Sequence, residues 1–376
     1  MSVDEVNQNG CYKHARLSDV LNEQISNDLN ELTQEDVDPD LNGQSFIDTI
    51  TNIERFPLKQ NYQKKITTIY HELKLPNSEL TIHRLYKLNN AETEFFLIDL
   101  NQNLFLIYKI IDNEIKVIEI DDSLRLVSVF LATYYSSSTS TLYLCDYESN
   151  FYEFSFVDKA RLSFKQNFKL KNCGVIEFME LDETVEEKTV YACDIKSDCL
   201  HIFNVPSVAI NNFIVNHMAI QPKQVRHNEI RKPKYLKIKD DFLFVICNGY
   251  ENSEKNEKKN MSYVLIIDKI ETSVVRKIDL ENWFNPYGLY ISNKMECLLT
   301  TTSKINANCS NSIYSASNSE YLLVIDIESM RNGECKIVSE INLEFDLIND
   351  FYIMKDNKIL FLLNHVDKPL VIVELN

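Results

Sequence analysis

From about residue 60 onward, apolar positions come in runs of five to eight residues, rich in Ile, Val, Phe, Tyr and Leu and punctuated by turn residues. Runs of that length and spacing predict β-strands, and no helical period interrupts them. Residues 1–60 read differently. They are polar except for one stripe, Val20, Leu21, Ile25, Leu29 and Leu32, which recurs at helical spacing over about 15 residues. Ser18 precedes it as a candidate N-cap. A helix that short is marginal alone in water. The stripe is therefore expected to lie on its own domain or to dock on a partner, with plain disorder as the remaining alternative. The chain divides accordingly into an N-terminal extension, 1–60, and a β-domain, 61–376.

The β-domain repeats. Leu97–Tyr108, Leu144–Ser155 and Ala192–Phe203 align without gaps, and each carries an Asp at the same place: Asp99, Asp146 and Asp194. The pattern describes a hairpin whose Asp accepts backbone N–H bonds across the turn. Asn103, Asn150 and Asp198 hold the later turn position, where Asn and Asp tolerate the left-handed conformation. Replacing such an Asp by Ala is expected to cost roughly 0.5–2 kcal/mol. Three more hairpins follow: Phe242–Asn248 with Tyr263–Ile270, Glu296–Thr302 with Tyr321–Ile327, and Lys358–Asn364 with Pro369–Leu375. The fourth spans a charged insertion at 251–259 and the fifth a Ser/Asn-rich one at 303–319.

One strand precedes each hairpin. One follows all but the last, at Ile115–Ile120, Ser163–Leu170, Phe213–Ile220, Val274–Leu280 and Lys336–Leu343. Four strands per unit of about 45–60 residues is the arithmetic of a β-propeller blade. The sixth unit lacks its outer strand, and a spare strand around Ile66–Leu73 is expected to supply it and close the ring. The fold class is therefore all-β, a single propeller of six or seven four-stranded blades with an acidic, partly helical or disordered N-terminal extension.

Segments such as Ile107–Ile110, Ile202–Val205 and Val324–Ile327 stand where WD40 proteins end a blade's third strand with Trp-Asp. In this the repeat resembles a divergent WD40 propeller. The resemblance implies a protein-binding platform, commonly a non-catalytic subunit of a larger assembly.

Composition narrows the chemistry. Six Gly in 376 residues, against roughly 26 at average usage, leave no GxGxxG and no GxxxxGK[ST] loop to cradle a phosphate. Net charge is −17, and residues 1–50 hold eleven acidic and two basic residues, a balance of −9. So acidic a chain is not a general nucleic-acid binder. One stretch opposes this: Lys223, Arg226, Arg231, Lys232, Lys234, Lys237 and Lys239, in the connection from the third unit to the fourth. It reads as a solvated loop or as a docking patch for an acidic protein or RNA.

No apolar run approaches the roughly 18 residues of a membrane span, and the N-terminus has no secretory pattern. Nine scattered Cys without CxxC suggest reduced core thiols in the nucleus or cytoplasm. The seven His form no metal-binding spacing, and Cys193, Cys199 and His201, the closest grouping, read as core packing. Asp99, Asp146 and Asp194 recur because a turn recurs, which makes them structural. No catalytic residue, metal, cofactor or small-molecule substrate is evident.

The expectation is a non-catalytic scaffold or adaptor of an intracellular multiprotein complex, binding partner proteins through its faces and its N-terminal helix. One alternative is an accessory subunit of an RNA-processing or RNA-modifying complex that contacts RNA through 223–239. The other is a propeller hydrolase. The strands preceding the hairpins read as mostly apolar, so convergence of ionisable residues at one channel mouth is the observation that discriminates.

Overall fold

Apolar runs in the second strand of each repeat are continuous rather than alternating, as in Phe95-Phe96-Leu97-Ile98, and all four residues are fully buried. A strand reads that way when both its faces are covered. Here Phe95 and Leu97 pack toward one neighbouring sheet, while Phe96 and Ile98 pack toward the other. The structure is a computed structural model. It describes residues 64–65 and 83–375, apart from 89–91, 100–103, 110–113, 121–129, 159–160, 184–186, 207–218, 253–257, 281, 306–315, 329, 331–332, 346–347, 355–357 and 364–369. The stripe at Val20–Leu32 and the extension 1–60 lie outside the described residues.

Six sheets are arranged as a β-propeller, and no helix occurs among the described residues. Blade 1 comprises Arg84–Lys87, Glu94–Asp99, Leu104–Lys109 and Glu114–Val117. Blade 2 comprises Phe130–Ser136, Thr141–Asp146, Asn150–Asp158 and Arg161–Leu170. Blade 3 comprises Ile176–Asp182, Thr189–Asp194, Cys199–Asn204 and Lys223–Val225. Blade 4 follows with Pro233–Lys239, Phe242–Asn252, Lys258–Asp268 and Val274–Asp279. Blade 5 has Trp283–Ile291, Cys297–Ile305, Ala316–Asp326 and Lys336–Asn342. Blade 6 has Ile348–Ile353, Lys358–Leu363 and Leu370–Leu375. The first strand of each blade is innermost. The core is distributed in layers between blades, each apolar cluster drawing on two or three adjacent sheets.

Blade 6 gains its outer edge from the N-terminal side. Lys64 pairs with Leu375 and Lys65 with Glu374, antiparallel. This is the expected closure, with the described pairing immediately before Ile66–Leu73, which lies outside the described residues. The pairing covers the outer edge of the last strand at Glu374 and Leu375.

Three details differ from the sequence pattern. The outer strand of blade 3 is Lys223–Val225, not Phe213–Ile220. Ala219–Ile220 instead runs parallel to the outer strand of blade 2, through Lys169↔Ala219 and Leu170↔Ile220. In blade 2 the left-handed turn residue is Ser149, at φ 63°, rather than Asn150. The blade 2 loop is one residue shorter, so Asn150 already begins the next strand, whereas Asp198 of blade 3 keeps the expected position at φ 50°. Finally, the insertions of blades 4 and 5 are not loops from their start. Both ladders run on through them, to Asn252↔Lys258 and Ile305↔Ala316.

Candidate functional site: the channel mouth

The hairpin carboxylates come first, because they show what a satisfied buried charge looks like in this ring. Asp146 and Asp194 are fully buried. Asp146 Oδ1 accepts N–H bonds from Glu148 (2.9 Å) and Asn150 (2.8 Å), and Oδ2 accepts from Asn150 Nδ2 (2.8 Å) and Tyr152 OH (3.1 Å). Asp194 does more. It accepts backbone N–H bonds from Gly174 (2.5 Å), Val175 (3.2 Å), Lys196 (3.1 Å) and Ser197 (2.9 Å), and it meets His201 Nε2 at 2.9 Å. Burial opposes its charge. The bonds from His201, Gly174 and Ser197 outweigh burial and hold the carboxyl well below the usual range. Gly174 is required by this approach, since a Cβ there would sit 2.6 Å from Asp194 Oδ1. Asp99 is equally buried, with His83 Nδ1 at 4.0 Å; the turn after it lies outside the described residues.

His201 therefore joins Asp194 and Cys199, not Cys193. These three are the single group with metal-ligand proximity among the described residues. Its donors are already engaged. Both Asp194 oxygens accept the bonds above, and burial pushes the Cys199 thiol up to about 11, so it carries no charge at neutral pH. The other buried thiols share this fate: Cys145, Cys193, Cys247 and Cys297 are raised by desolvation.

The basic stretch is divided. Lys223 is exposed in the outer strand of blade 3 and Arg226 just after it, while Arg231 and Lys232 are exposed immediately before the innermost strand of blade 4. Lys234, Lys237 and Lys239 belong instead to the innermost strand of blade 4. Lys237 pairs with Glu180 of blade 3. The seven residues do not form one loop face.

Lys234 is part of a different assembly. A cavity of about 330 Å3 opens where the six inner strands begin. It is lined by His83 and Arg84 of blade 1, Leu131 of blade 2, Glu177 of blade 3 and Lys234 of blade 4. Blades 5 and 6 complete it with Asn285, Tyr287, Glu320, Ile348 and Asn349. Five inner strands carry a register shift at their first residues: Phe130/Ala132, Ile176/Phe178, Pro233/Tyr235, Phe284/Tyr287 and Ile348/Asp350. The residues left out of the ladder there are Leu131, Glu177, Lys234, Asn285 with Pro286, and Asn349. All but Pro286 line the cavity. A β-bulge re-aims its extra residue, and this ring uses the device five times at one mouth.

Arg84 plugs the floor. Its guanidinium reaches out of blade 1 to lie over Phe178 of blade 3 (5.2 Å to the ring centroid) and Tyr287 of blade 5 (5.6 Å). Nη1 donates to Tyr287 OH and to His83 O (3.1 Å). Tyr235 stacks against Phe178 at 3.8 Å and meets Tyr287 edge-on at 5.7 Å, which fixes both rings. Lys234 Nζ lies over the same Tyr287 ring (5.2 Å) and donates to Asn285 Oδ1 (2.9 Å). Burial and the neighbouring Arg84 depress the Lys234 pKa, and Glu177 opposes them. Behind the mouth, Asp350 is buried and accepts from Leu85 N (3.2 Å) and Phe351 N (2.9 Å); burial pushes its carboxyl up to about 6. Gly288, at φ +67° with a would-be Cβ 2.6 Å from Phe351, permits the blade 5 bulge that presents Tyr287.

Ionisable residues thus converge at one channel mouth, against the sequence expectation of apolar inner strands, and meet the condition that favours the hydrolase alternative; the described lining holds no Ser, Thr or Cys nucleophile. The expectation rested on the mostly apolar content of those strands, and the bulges turn the one exceptional residue near each start toward the mouth.

No family model and no curated protein matches the chain. Among solved structures, hydrazine synthase of Kuenenia stuttgartiensis is similar at 11% identity and TM-score 0.51, over 75% of this chain and 74% of that one. The C-terminal WD40 domain of Sif2 is similar at 10% identity and TM-score 0.44, over 78% of this chain and 70% of that one. The WD40 β-propeller domain of Doa1 is similar at 10% identity and TM-score 0.47, over 84% and 97%. The likeness is one of fold, and one fold hosts many functions.

Proposed function

We propose that the protein is a non-catalytic scaffold that binds partner proteins on the face where its inner strands begin. The observation that carries this reading is the unequal growth of the hairpins on that face. In blades 1, 2, 3 and 6 the second strand is six residues long. In blades 4 and 5 it is eleven and nine, and the third strand is eleven in both. Blade 4's ladder continues for five pairs past Cys247↔Tyr263, beyond the residues paired with its inner strand. Elongation of two adjacent hairpins adds nothing to ring closure, whereas a ribbon standing beyond a rigid sheet is a natural partner contact. The extended strands border the mouth: Asn248 Nδ2 donates to Asn285 Oδ1 (3.1 Å), and Glu320 Oε1 accepts from Ile348 N (3.3 Å). Seven described cysteines, all unpaired and five of them buried, fit a reducing compartment, nucleus or cytoplasm.

The test shortens blade 4's hairpin, joining Asn248 to Ser262 through a two-residue turn. Quantitative affinity purification should lose partners held by the wild type, with the melting temperature unchanged. Full retention of the wild-type partner set removes the basis of this reading.

A further inference from the structure

The inference concerns the cavity itself and does not depend on the protein-binding reading. Arg84 is only 5% exposed, and no described carboxylate lies within ion-pair distance of its guanidinium. Its Nε is buried without a hydrogen-bond partner. Asp350 helps hold the charge from farther away while its oxygens serve Leu85 and Phe351. A guanidinium this buried, with an unmatched N–H and aromatic faces on either side, is an unusual expense for a purely structural group. Its planar fork suits a carboxylate.

The second cation on the wall, Lys234, stands over the Tyr287 ring that Arg84 also covers. Two acids share the same wall, Glu177 and Glu320. With Arg84 and Lys234 they bring the lining to charge balance. A balanced wall disfavours a polyanion such as phosphate, which would meet two carboxylates as well as two cations. It favours a ligand carrying one charge of each sign. Five bulged strand starts hold the lining on rigid sheet, so the site is pre-formed. The volume, about 330 Å3, falls at the small end of the range for ligand pockets, roughly 300–1,000 Å3.

We propose that the channel mouth binds a free α-amino acid, its carboxylate held by Arg84 and Lys234 and its ammonium by Glu177. Leu131 and Ile348 offer apolar surface to the side chain, and Asn285 and Asn349 offer amides.

The test is isothermal titration of the full chain with each proteinogenic α-amino acid at millimolar concentration. Acetate, methylamine and inorganic phosphate serve as single-feature probes. At least one amino acid should bind one-to-one, about tenfold or more tighter than any of the three probes. Lys234→Gln and Glu177→Gln should each weaken it about tenfold or more with unchanged melting temperature. Both residues are half-buried rather than core, so the proposal does not hang on an Arg84 variant that fails to fold. Failure of every amino acid to bind the wild type overturns it. So does binding that both variants leave intact, which would put the ligand elsewhere. Phosphate or acetate binding as tightly as the amino acid also overturns it, and assigns Arg84 and Lys234 to a simple oxyanion.

Discussion

Blade 3's hairpin and the channel mouth both bury ionisable groups, and they resolve the cost in opposite ways. Asp194 is surrounded within one blade by four backbone N–H donors and His201, so its charge is matched locally and completely. Arg84 draws its neighbours from blades 1, 3 and 5, keeps an Nε without an acceptor, and shares an aromatic ring with a second cation. A buried charge satisfied by its own turn stabilises the turn. One assembled from distant strands and left incomplete can be completed by a ligand. The comparison can be broken at either end.

The largest effect is expected at the hairpin. Asp194→Ala strips the acceptor from four backbone amides and strands His201, whose Nδ1 is already buried without a partner. The loss should be about 3–5 kcal/mol, above the range expected for a single lost cap, and visible as a lower urea midpoint. Asp146→Ala, which removes two backbone bonds, should cost about half as much. Equal losses at the two sites would mean that the extra partners of Asp194 contribute nothing.

At the mouth, Gly288→Ala probes the bulge. The substitution places a Cβ against the Phe351 ring at a positive φ, a cost of about 2–3 kcal/mol. Because Gly288 follows Tyr287, the Tyr287 ring should shift with it. Quantitative urea denaturation reads the stability, and amino-acid titration reads the mouth. An unaltered stability would show that the bulge can relax without strain.

The two regions also differ in how far the sequence reveals them. Asp146 and Asp194 were legible because each turn is local: the Asp, the turn and the next strand lie within about ten residues, and the pattern recurs. A count of six or seven blades, and a closing strand near residue 65, followed from the same repeat. The Asp194–His201 pair had a weaker signal, in the register that sets His201 opposite Ala192, next to the hairpin. The mouth left almost none. Its residues are one to three per blade, from positions 83 to 349, and the bulges that aim them look like ordinary strand starts. Lys234 was visible only as one member of a basic stretch, and topology then sent it away from Arg226 and Arg231. A signal was available in hindsight: an ionisable or amide residue one place inside the start of three inner strands, Glu177, Lys234 and Asn349.

A smaller effect, in pH, separates the two regions by sign. The Asp194 carboxyl is depressed when folded, so its contribution is present above the unfolded value of roughly 3.9 and is lost as pH falls below it. Asp350 runs the other way. Its carboxyl is raised by burial to about 6, so its contribution is fully present below roughly 3.9 and is lost as pH rises through about 6. Melting temperature against pH should therefore rise from acid to about pH 4 and carry a downward component between about 4 and 6. Asp350→Asn, whose amide oxygen can still accept from Leu85 N, should remove the second component and leave the first. Persistence of both in the variant would place the downward component on another group.

The smallest effect on stability is expected from the residues that matter most for binding. Lys234 and Glu177 are extra residues of bulges, outside the ladder that holds their blades together. Lys234 does hydrogen-bond Asn285, but a partly solvated bond of that kind contributes little, about 0–1 kcal/mol. Lys234→Gln and Glu177→Gln should each change stability by less than about 0.5 kcal/mol. Glu177 already acts on the Lys234 charge, so the double variant should carry a small coupling without ligand and a clearly larger one once the ligand is present. A double-mutant cycle with and without the amino acid measures this directly. Coupling that grows with ligand identifies the mouth as a binding site. Equal coupling in its absence makes Lys234 and Glu177 a structural pair, and the mouth would then follow the rule of the hairpin, with its charges matched from within.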